Sequence, residues 1–388
     1  MAQRRSRKRE SARKKTALPR VKSGKGMFTR IKVVGVGGGG GNAVSRMMAE
    51  SDRIRGVEFI AVNTDAQDLD HAHAHRKLYI GRALTHGLGA GMNPEIGKQA
   101  AEENRSEIGE ALDGADVVFL TAGFGGGTGS GGLPVIAEIA RERGILTLAI
   151  VTKPFAFEGG QRTAIAQEAL GRLKDKVDAL VVIPNDRIFT IIDKDTSVTK
   201  AFGFIDDILK SAVKAIADLV NAPGIINIDF ADIKTTLKDA GTTLIGIGVA
   251  SGPERGTKAM ALALNSPLLE STMEGARGLL FSISGGRDLK MAEVHDIAKA
   301  VSANLDTGAR VIFGAYYDRT LSEKSIKVMV IATGFSGTWS GGNRLPLAPL
   351  FRDKEPPHKI PPEPPDEKQE KQEDTWEIPA FLRKKKRR

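Results

Sequence analysis

The sequence contains no cysteine, few aromatic residues and no long apolar run. Because none of its 388 residues is cysteine, disulfide bonds and thiolate metal sites are excluded. No apolar stretch reaches the ~18 residues of a membrane span, and no signal-peptide core follows the basic start, so we expect a cytoplasmic protein. Aromatic residues make up 5% of a chain that is 41% hydrophobic, which is typical of α/β proteins rich in Val, Ile and Ala.

The formal net charge of +10 is concentrated in the two tails. Residues 1–30 carry +11 and residues 374–388 carry +4, which leaves −5 for the body between them. We therefore do not expect the folded body to bind nucleic acid. The basic extension, residues 1–28, is interpreted as disordered and solvated; contact with anionic lipid or nucleic acid, and an organelle transit peptide, are the alternatives. Met27 is an alternative start of translation.

Apolar strand patterns alternate with helical patterns along the first half of the chain. Strands are predicted at 31–36, 57–62, 77–80, 116–122, 146–151 and 179–183, and helices at 94–112, 132–143 and 160–173. This alternation predicts a parallel sheet covered on both faces. A long helix with a broad apolar face is predicted over 197–221, and a smaller α/β domain follows it, with strands at 243–250, 278–284, 310–316 and 325–333 and helices at 231–240, 257–265 and 291–304.

Two glycine-rich stretches follow predicted strands. One is Gly37–Gly41, with Asn42 opening a helix, and the other is Gly123–Gly132. A bare backbone that points amides at the start of a helix is suited to bind an anion, so phosphate binding is the first hypothesis. A flexible surface loop is the alternative, and the position between a buried strand and a helix disfavours it.

The phosphate chemistry has more than one interpretation. Gly35 to Gly40 satisfies the G-x-G-x-x-G pattern, which alone suggests a Rossmann-type oxidoreductase that binds NAD(P). The acidic ribose partner at the end of a second strand is missing, but this absence is not decisive, because Asp65 lies near enough to be confused for one. The second glycine stretch and Asn42 weigh against that enzyme. A Walker A sequence is absent, so backbone amides from two loops and a metal ion would neutralise the phosphates. His71, His73 and His75 are interpreted as a solvated connection rather than a metal site.

Seven motifs in sequence order together resemble the tubulin/FtsZ family of GTPases, over roughly residues 29–335 and the extreme C-terminus. They are Gly37–Asn42, Asn63–Asp65, Gly87–Gly91 with Pro94-Glu95, Gly123–Gly131, Pro154–Gly159 with Arg162, Asn227–Asp232 and Ile378–Arg383. The chain departs from the family pattern at Gly132-Leu133, Lys200, Phe204 and Ile205.

The resemblance implies a division of the chain and a nucleotide site. A GTP-binding domain spans 29–196, a central helix 197–221, a second domain 222–335, a disordered linker 336–373 and a partner-binding peptide 374–388. The resemblance also implies that the nucleotide is GTP or GDP with Mg²⁺. It implies that the ribose is contacted by Glu158 and Arg162, and the guanine by Asn42, Phe202 and Asp206. The residues that it implies for the phosphates are Gly38, Gly39, Gly40, Gly41, Ala90, Gly91, Gly127, Thr128 and Gly129.

Three polar residues, Asn227, Asp229 and Asp232, precede or open a predicted helix. By their type alone they are interpreted as helix caps, since Asn and Asp favour such positions. The resemblance implies instead that they enter the nucleotide site of the next subunit, where the acidic side chains polarise the attacking water. Hydrolysis would then require assembly.

The resemblance implies a bacterial cell-division GTPase that polymerises head to tail into cytokinetic filaments at mid-cell. Its partners would be other copies of itself and a membrane-linked adaptor bound through residues 374–388, where Trp376, Ile378, Phe381 and Leu382 share one face of a short helix. A relative that binds nucleotide and assembles without hydrolysis is the remaining alternative.

Overall fold

The computed structural model describes residues 29–49, 56–193, 195–221, 224–266, 275–302, 308–318, 321–322 and 324–335. The predictions for the basic extension, Met27, the linker and the C-terminal peptide therefore lie outside the described residues. Among the described residues, no helix combines the length and the apolar character that a membrane crossing requires.

The larger sheet has seven strands, all parallel, in the order β3-β2-β1-β4-β5-β6-β7. Its strands are β1 (Ile31–Val36), β2 (Val57–Asn63), β3 (Arg76–Tyr79), β4 (Val117–Gly123), β5 (Leu146–Lys153), β6 (Ala179–Pro184) and β7 (Gly241–Thr242). Val33 of β1 lies beside Phe59 of β2 and Phe119 of β4, and all three side chains are buried. The parallel sheet predicted from continuous apolar strands is confirmed.

Helices cover both faces of this sheet. They are α1 (Gly37–Ala49), α2 (Ala66–His71), α3 (Arg82–Thr85), α4 (Pro94–Glu103), α5 (Arg105–Leu112), α6 (Thr128–Glu142) and α7 (Gly160–Leu173). Val33 packs in one core cluster with residues of α1, and its neighbour Val34 packs in another with residues of α4 to α7. Successive strand residues point to opposite faces, so both faces are apolar and both are covered.

The long central helix, α8 (Val198–Asn221), joins the two parts of the molecule. Val213 and Ile216 on its apolar face pack in one cluster with Phe119 of the larger sheet and with Leu280 and Ile331 of the second sheet. Its broad apolar face is therefore buried on two sides, as the sequence pattern predicts. Phe204 and Ile205, which depart from the family pattern, pack with Phe155 and Ile188 in a separate apolar cluster.

The second sheet has four strands in the order β10-β9-β11-β8. They are β8 (Leu244–Ser251), β9 (Gly278–Gly285), β10 (Arg310–Tyr317) and β11 (Ser325–Thr333), accompanied by helices α9 (Phe230–Leu237), α10 (Arg255–Leu264) and α11 (Met291–Ser302). β9 and β10 are parallel, whereas β11 runs antiparallel to both β8 and β9. The sheet is therefore mixed, and α10 and α11 pack on the face that α8 leaves uncovered.

Several predicted helix boundaries are wrong; the helix predicted over 231–240, for example, ends at Leu237. The helix predicted over 94–112 is broken at Asn104, whose side-chain oxygen accepts a hydrogen bond from the Gly81 N–H at 2.9 Å. The helix predicted to start at Gly132 starts at Thr128, and α1 starts at Gly37 rather than at Asn42. Glycine and Pro134 indicate a late start by their propensities, but tertiary packing overrides that preference.

Candidate functional site

A cavity of about 790 Å³ lies at the carboxyl ends of β1, β4 and β5. From β1 the chain continues to β2, which lies beside β1 in one direction along the sheet. From β4 it continues to β5, which lies in the opposite direction, so the cavity is at the point where the strand order reverses. Ligands of doubly wound sheets bind at such a point. Of the predicted site residues, those that line the cavity are Gly38, Gly39, Asn42, Gly127, Thr128, Gly129, Glu158, Arg162, Phe202 and Asp206.

The two glycine-rich stretches meet at the floor of this cavity. A Cβ on Gly37 would lie 3.1 Å from the backbone nitrogen of Gly129, and one on Gly39 would lie 3.3 Å from that of Gly123. Gly37 has a φ of +72°, which only glycine adopts without strain. Because α1 and α6 both start here, their unpaired N–H groups and positive dipole ends point at one place, which suits an anion.

Several glycines of these stretches serve packing rather than ligand approach. A Cβ on Gly40 would lie 2.5 Å from the Thr121 carbonyl oxygen, and one on Gly131 would lie 1.9 Å from the Pro94 carbonyl oxygen. Gly40 therefore permits α1 to lie close to β4, and Gly131 permits α6 to cross α4. Neither lines the cavity. Gly41 also lies outside the lining, and no described atom comes within 4 Å of a Cβ built on it.

Ala90 and Gly91 lie beside the second glycine stretch without lining the cavity. The Ala90 side chain, 4% exposed, would come within 2.7 Å of a Cβ built on Gly127. Gly91 has a φ of +54° and is exposed. The segment before α4 therefore lies against the loop that leads into α6, and only a residue without a side chain fits at Gly127.

Aromatic and polar side chains form the other end of the cavity. Phe202, 41% exposed, meets Phe155 edge-on with the ring centroids 5.6 Å apart. Asp206 lies one helical turn further along α8 and forms an ion pair with Arg46 of α1. Asn42 lies one turn before Arg46 and is the sixth residue of α1, so it does not open the helix as predicted. A half-exposed ring beside a carboxylate and an amide is suited to a purine base.

Arg46 and Asn185 are among the lining residues that were not predicted as site residues. Asn185 is 7% exposed, and its side-chain oxygen has no hydrogen-bond partner among the described residues. A buried amide oxygen without a partner is costly, so it points to a ligand that donates a hydrogen bond there. The sequence contained a signal for both residues that was not used. Arg46 lies one helical turn from Asn42, and Asn185 follows β6 directly at the carboxyl edge of the sheet.

Glu158 and Arg162 are linked to each other at the rim. Arg162 Nη1 donates to Glu158 Oε2 at 2.7 Å, and Glu158 Oε1 accepts the Phe155 N–H at 2.9 Å. The carboxylate therefore closes the short turn over Ala156–Glu158 as well as facing the cavity.

Asn227, Asp229 and Asp232 lie away from the cavity. Asn227 Oδ1 accepts the Gly224 N–H at 2.6 Å, while the Asp229 and Asp232 side chains are exposed. Asp229 holds the N-cap position of α9, yet its side chain accepts no capping hydrogen bond within the described part of the chain. The capping interpretation therefore fails for Asp229, which leaves its carboxylate available for another contact.

Two aspartates, Asp65 and Asp68, lie near the first glycine stretch without lining the cavity. Asp68 Oδ2 lies 3.0 Å from the position that a Cβ on Gly38 would take, and it accepts a hydrogen bond from Asn63 at 2.7 Å. Asp65 Oδ1 accepts the Asp68 N–H at 3.0 Å. These carboxylates fit Mg²⁺, which prefers oxygen ligands and is commonly held by one or two carboxylates and substrate phosphates.

Comparisons with known proteins agree with this geometry. The model described as the Tubulin/FtsZ family, GTPase domain, matches residues 30–193, and that of the FtsZ family, C-terminal domain, matches residues 241–336. The solved FtsZ dimer from M. jannaschii is 44% identical, with a TM-score of 0.74 over 79% of this chain and 88% of that chain.

Two proteins of Haloferax volcanii share the fold at lower identity. CetZ2, in a GTPγS-bound protofilament, is 24% identical with a TM-score of 0.66 over 78% of this chain and 92% of that chain. CetZ1, a GDP-bound monomer, is 23% identical with a TM-score of 0.68 over 79% of this chain and 95% of that chain. The family matches contradict the alternative that the chain is an NAD(P) oxidoreductase. Since they cover the glycine-rich site and the second sheet, this chain belongs to the tubulin/FtsZ family and is a GTPase that binds GTP and GDP.

Proposed function

We propose that this GTPase polymerises head to tail into protofilaments, hydrolyses GTP where two subunits meet, and serves in cell division. The observation that carries the proposal is the separation between the nucleotide cavity and the loop of Asn227, Asp229 and Asp232. A GTPase needs a group that orients or polarises the attacking water. The residues that line the cavity offer glycine amides, hydroxyls and paired charges, while the exposed carboxylates of Asp229 and Asp232, which form no ion pair with another described residue, lie elsewhere.

The separation is too large for one chain to close. Asp206 lines the cavity, and Asn221 ends the same helix fifteen residues later, which corresponds to about 22 Å of helix. Asn221 pairs with Thr29 just before β1, so it lies at the opposite edge of the sheet from the cavity. The acidic loop follows within a few residues. A second copy brings its loop to the cavity without any change of fold.

A contact between opposite ends of two copies is heterologous, because it joins two different surfaces. The pair therefore still exposes one surface of each kind, where further copies bind, and a filament grows. The relatives support this arrangement, since the M. jannaschii protein is described as a dimer and CetZ2 as a protofilament. At each junction we assign the phosphates to the amides at the starts of α1 and α6, with Ala90 and Gly91 facing the γ-phosphate. Phe202 would stack on guanine, while Asn42, Asn185 and Asp206 hydrogen-bond its edge.

The catalytic roles fall to the incoming loop. Asp229 and Asp232 would accept hydrogen bonds from the attacking water and orient it in line with the γ-phosphate, and Asn227 would hold the loop. Mg²⁺, when bound, neutralises charge on the phosphates. Asp65 and Asp68 are the residues that would hold it.

The proposal is tested by measuring phosphate release against protein concentration, with GTP and Mg²⁺ present. We expect a threshold concentration below which turnover is negligible, and sedimenting polymer above the same threshold. The Asp232→Ala variant should bind GTP and sediment normally while hydrolysis falls by about 100-fold or more. Turnover that is linear in concentration without a threshold would refute the shared site. Loss of GTP binding in Asp232→Ala would show that this residue is structural.

We further propose that the filaments act at mid-cell in the cytoplasm and attach to a membrane-linked adaptor through residues 374–388. The support is the membership of the family and the apolar face that the sequence predicts for that peptide. A fluorescent fusion that remains dispersed in dividing cells would exclude this role.

A further inference from the structure

We propose that Lys214 is a positioning residue for GTP hydrolysis, because it holds the central helix on the second sheet in the register that presents the acidic loop. The inference rests on the proposed function, in which that loop serves the next subunit. Lys214 lies on α8 between the residues at the cavity end, Phe202 and Asp206, and the loop that begins after Asn221.

Lys214 links the helix to the second sheet through two carboxylates. Its Nζ donates to Asp218 Oδ2 at 2.9 Å and to Asp318 Oδ2 at 2.8 Å. Asp218 lies one turn further along the same helix, whereas Asp318 follows β10 directly. The side chains of Lys214, Asp218 and Asp318 are 16%, 20% and 7% exposed, so the contact is largely shielded from water.

The same strand also holds the segment that leads to the acidic loop. The Ala315 carbonyl of β10 accepts hydrogen bonds from the Ile225 N–H at 2.7 Å and the Ile226 N–H at 3.1 Å, and the Ala315 N–H donates back to Ile226 at 3.1 Å. A Cβ on Gly314 would meet Leu219 at 2.7 Å. The helix, the loop segment and β10 are thus joined at neighbouring positions, and Lys214 supplies the ionic part of that connection.

The charges around Lys214 keep it ionised. Burial opposes its charge, but the hydrogen bonds to Asp318 and Asp218 prevail and raise its pKa. Burial raises the pKa of Asp218, and burial together with the nearby Lys214 lowers the pKa of Lys327. Tyr316 also faces Asp218, and burial raises its pKa to about 12, so it is neutral at physiological pH. Burial therefore disfavours the charged forms of Asp218 and Lys327. Lys214 donates a hydrogen bond to each of the two carboxylates, Asp218 and Asp318.

Such a network is better suited to set register than to add stability. Buried ion pairs lose most of their Coulomb energy to desolvation, but leaving one partner unpaired is expensive. Apolar contacts such as that of Leu219 are non-directional and tolerate a small shift of the helix. A shift by one turn, about 5.4 Å, would break the contact between Lys214 and Asp318. Without Lys214 the helix loses a directional contact between its middle and the residue that follows β10.

The test compares Lys214→Met with Lys210→Met in the full chain. Lys210 forms an ion pair with Asp207 on its own helix, so its loss removes a cation from α8 while the contact of Lys214 with Asp318 stays in place. We expect Lys214→Met to bind GTP and to sediment with a slowly hydrolysed GTP analogue like the wild type, while its turnover per polymerised subunit falls at least about tenfold. Lys210→Met should hydrolyse GTP at the wild-type rate, and Lys214→Arg should recover part of the loss.

A double variant covers the case in which Lys214→Met does not fold. Lys214→Gln with Asp318→Asn keeps a hydrogen bond between the two elements without buried charge, and it should turn over GTP faster than either single variant. Wild-type turnover in Lys214→Met, a parallel loss of GTP binding, or a double variant no better than the singles would overturn the inference. Absence of a concentration threshold in the wild type would instead refute the proposed function, so the two failures are distinguishable.

Discussion

Asp206 is the carboxylate at the end of the cavity that Phe202 also lines, and it forms an ion pair with Arg46. An ionised carboxylate accepts hydrogen bonds from the N1–H and amino group of guanine, and adenine does not offer that pair of donors. Specificity for GTP would therefore depend on one side chain of α8 held by one side chain of α1.

We predict that Asp206→Ala weakens GTP binding by about 10- to 100-fold, since hydrogen bonds to charged groups contribute roughly 1.5–3 kcal/mol. The control is Asp207→Ala, which removes the adjacent carboxylate, 60% exposed and paired with Lys210. Equilibrium titration with a fluorescent GTP analogue measures both variants. Equal affinities in the two would exclude Asp206 from the base site.

Arg255 is the buried cation at the start of α10, and it connects that helix to the segment before α11. It is 5% exposed, and it donates to Glu293 Oε1 at 2.8 Å and to Asp288 Oδ2 at 2.6 Å. The hydrogen bond from Arg255 holds the pKa of Glu293 below its usual 4.5. A depressed carboxyl pKa contributes stability above the unfolded value, and this stability is lost as the pH falls through the folded value.

We predict that Arg255→Met lowers stability at neutral pH, with about 2 kcal/mol coming from the contact with Glu293. The variant should also lose less stability than the wild type between pH 7 and about pH 4, because the acid-sensitive contact is already absent. Urea unfolding followed by circular dichroism at both pH values measures this. Arg141→Met, which removes an exposed pair with Asp239, should change little. Identical acid sensitivity in wild type and Arg255→Met would contradict the prediction.

At the scale of elements, α1 lies close to β1 and β4 because glycines place no side chains between them. A Cβ on Gly40 would lie 2.5 Å from the Thr121 carbonyl oxygen, and one on Gly35 would lie 2.2 Å from the Gly40 carbonyl oxygen. The helix therefore approaches both strands closely, and this approach positions the amides at its start.

We predict that Gly40→Ala destabilises the nucleotide-free protein by about 1–3 kcal/mol, because the added methyl group has no space. Gly41→Ala is the matched control, since no described atom lies within 4 Å of its Cβ and alanine favours a helix over glycine by about 1 kcal/mol. Urea midpoints of the two variants should move in opposite directions. A similar loss in both would mean that glycine serves the same purpose at each position.

At the scale of the whole molecule, the nucleotide cavity and the acidic loop lie at opposite edges of the larger sheet. The residues assigned to the site all fall between Gly38 and Asp232, and none of them belongs to the C-terminal peptide. We predict that removal of residues 374–388 leaves the assembly threshold and the turnover of GTP unchanged within about twofold, whereas binding to a membrane-linked partner is lost. Light scattering and phosphate release measure the first, and recruitment to adaptor-bearing vesicles measures the second. A raised threshold would assign the peptide to the filament itself.

Local pattern was sufficient for the elements and for placing the two glycine-rich stretches at the carboxyl edge of the larger sheet. Continuous apolar runs such as Val117–Gly123 predicted parallel strands because both of their faces are buried, and glycines directly after β1 and β4 predicted an anion site at the carboxyl edge. The motifs also indicated the family correctly. These signals lie within a few residues of one another, so they can be read along the chain.

The tertiary structure decided what depends on distant segments. The carbonyl groups of Thr121 and Pro94 show which glycines permit packing rather than face the cavity. The early start of α6 follows from its crossing with α4. The pairing of Arg46 with Asp206, the unpartnered oxygen of Asn185 and the link from Lys214 to Asp318 join residues remote in sequence. Sequence alone determined the family and the two glycine-rich stretches that suit an anion, because both are local patterns. Only the fold decided that the loop of Asn227, Asp229 and Asp232 lies away from the cavity, because that distance depends on how remote segments pack.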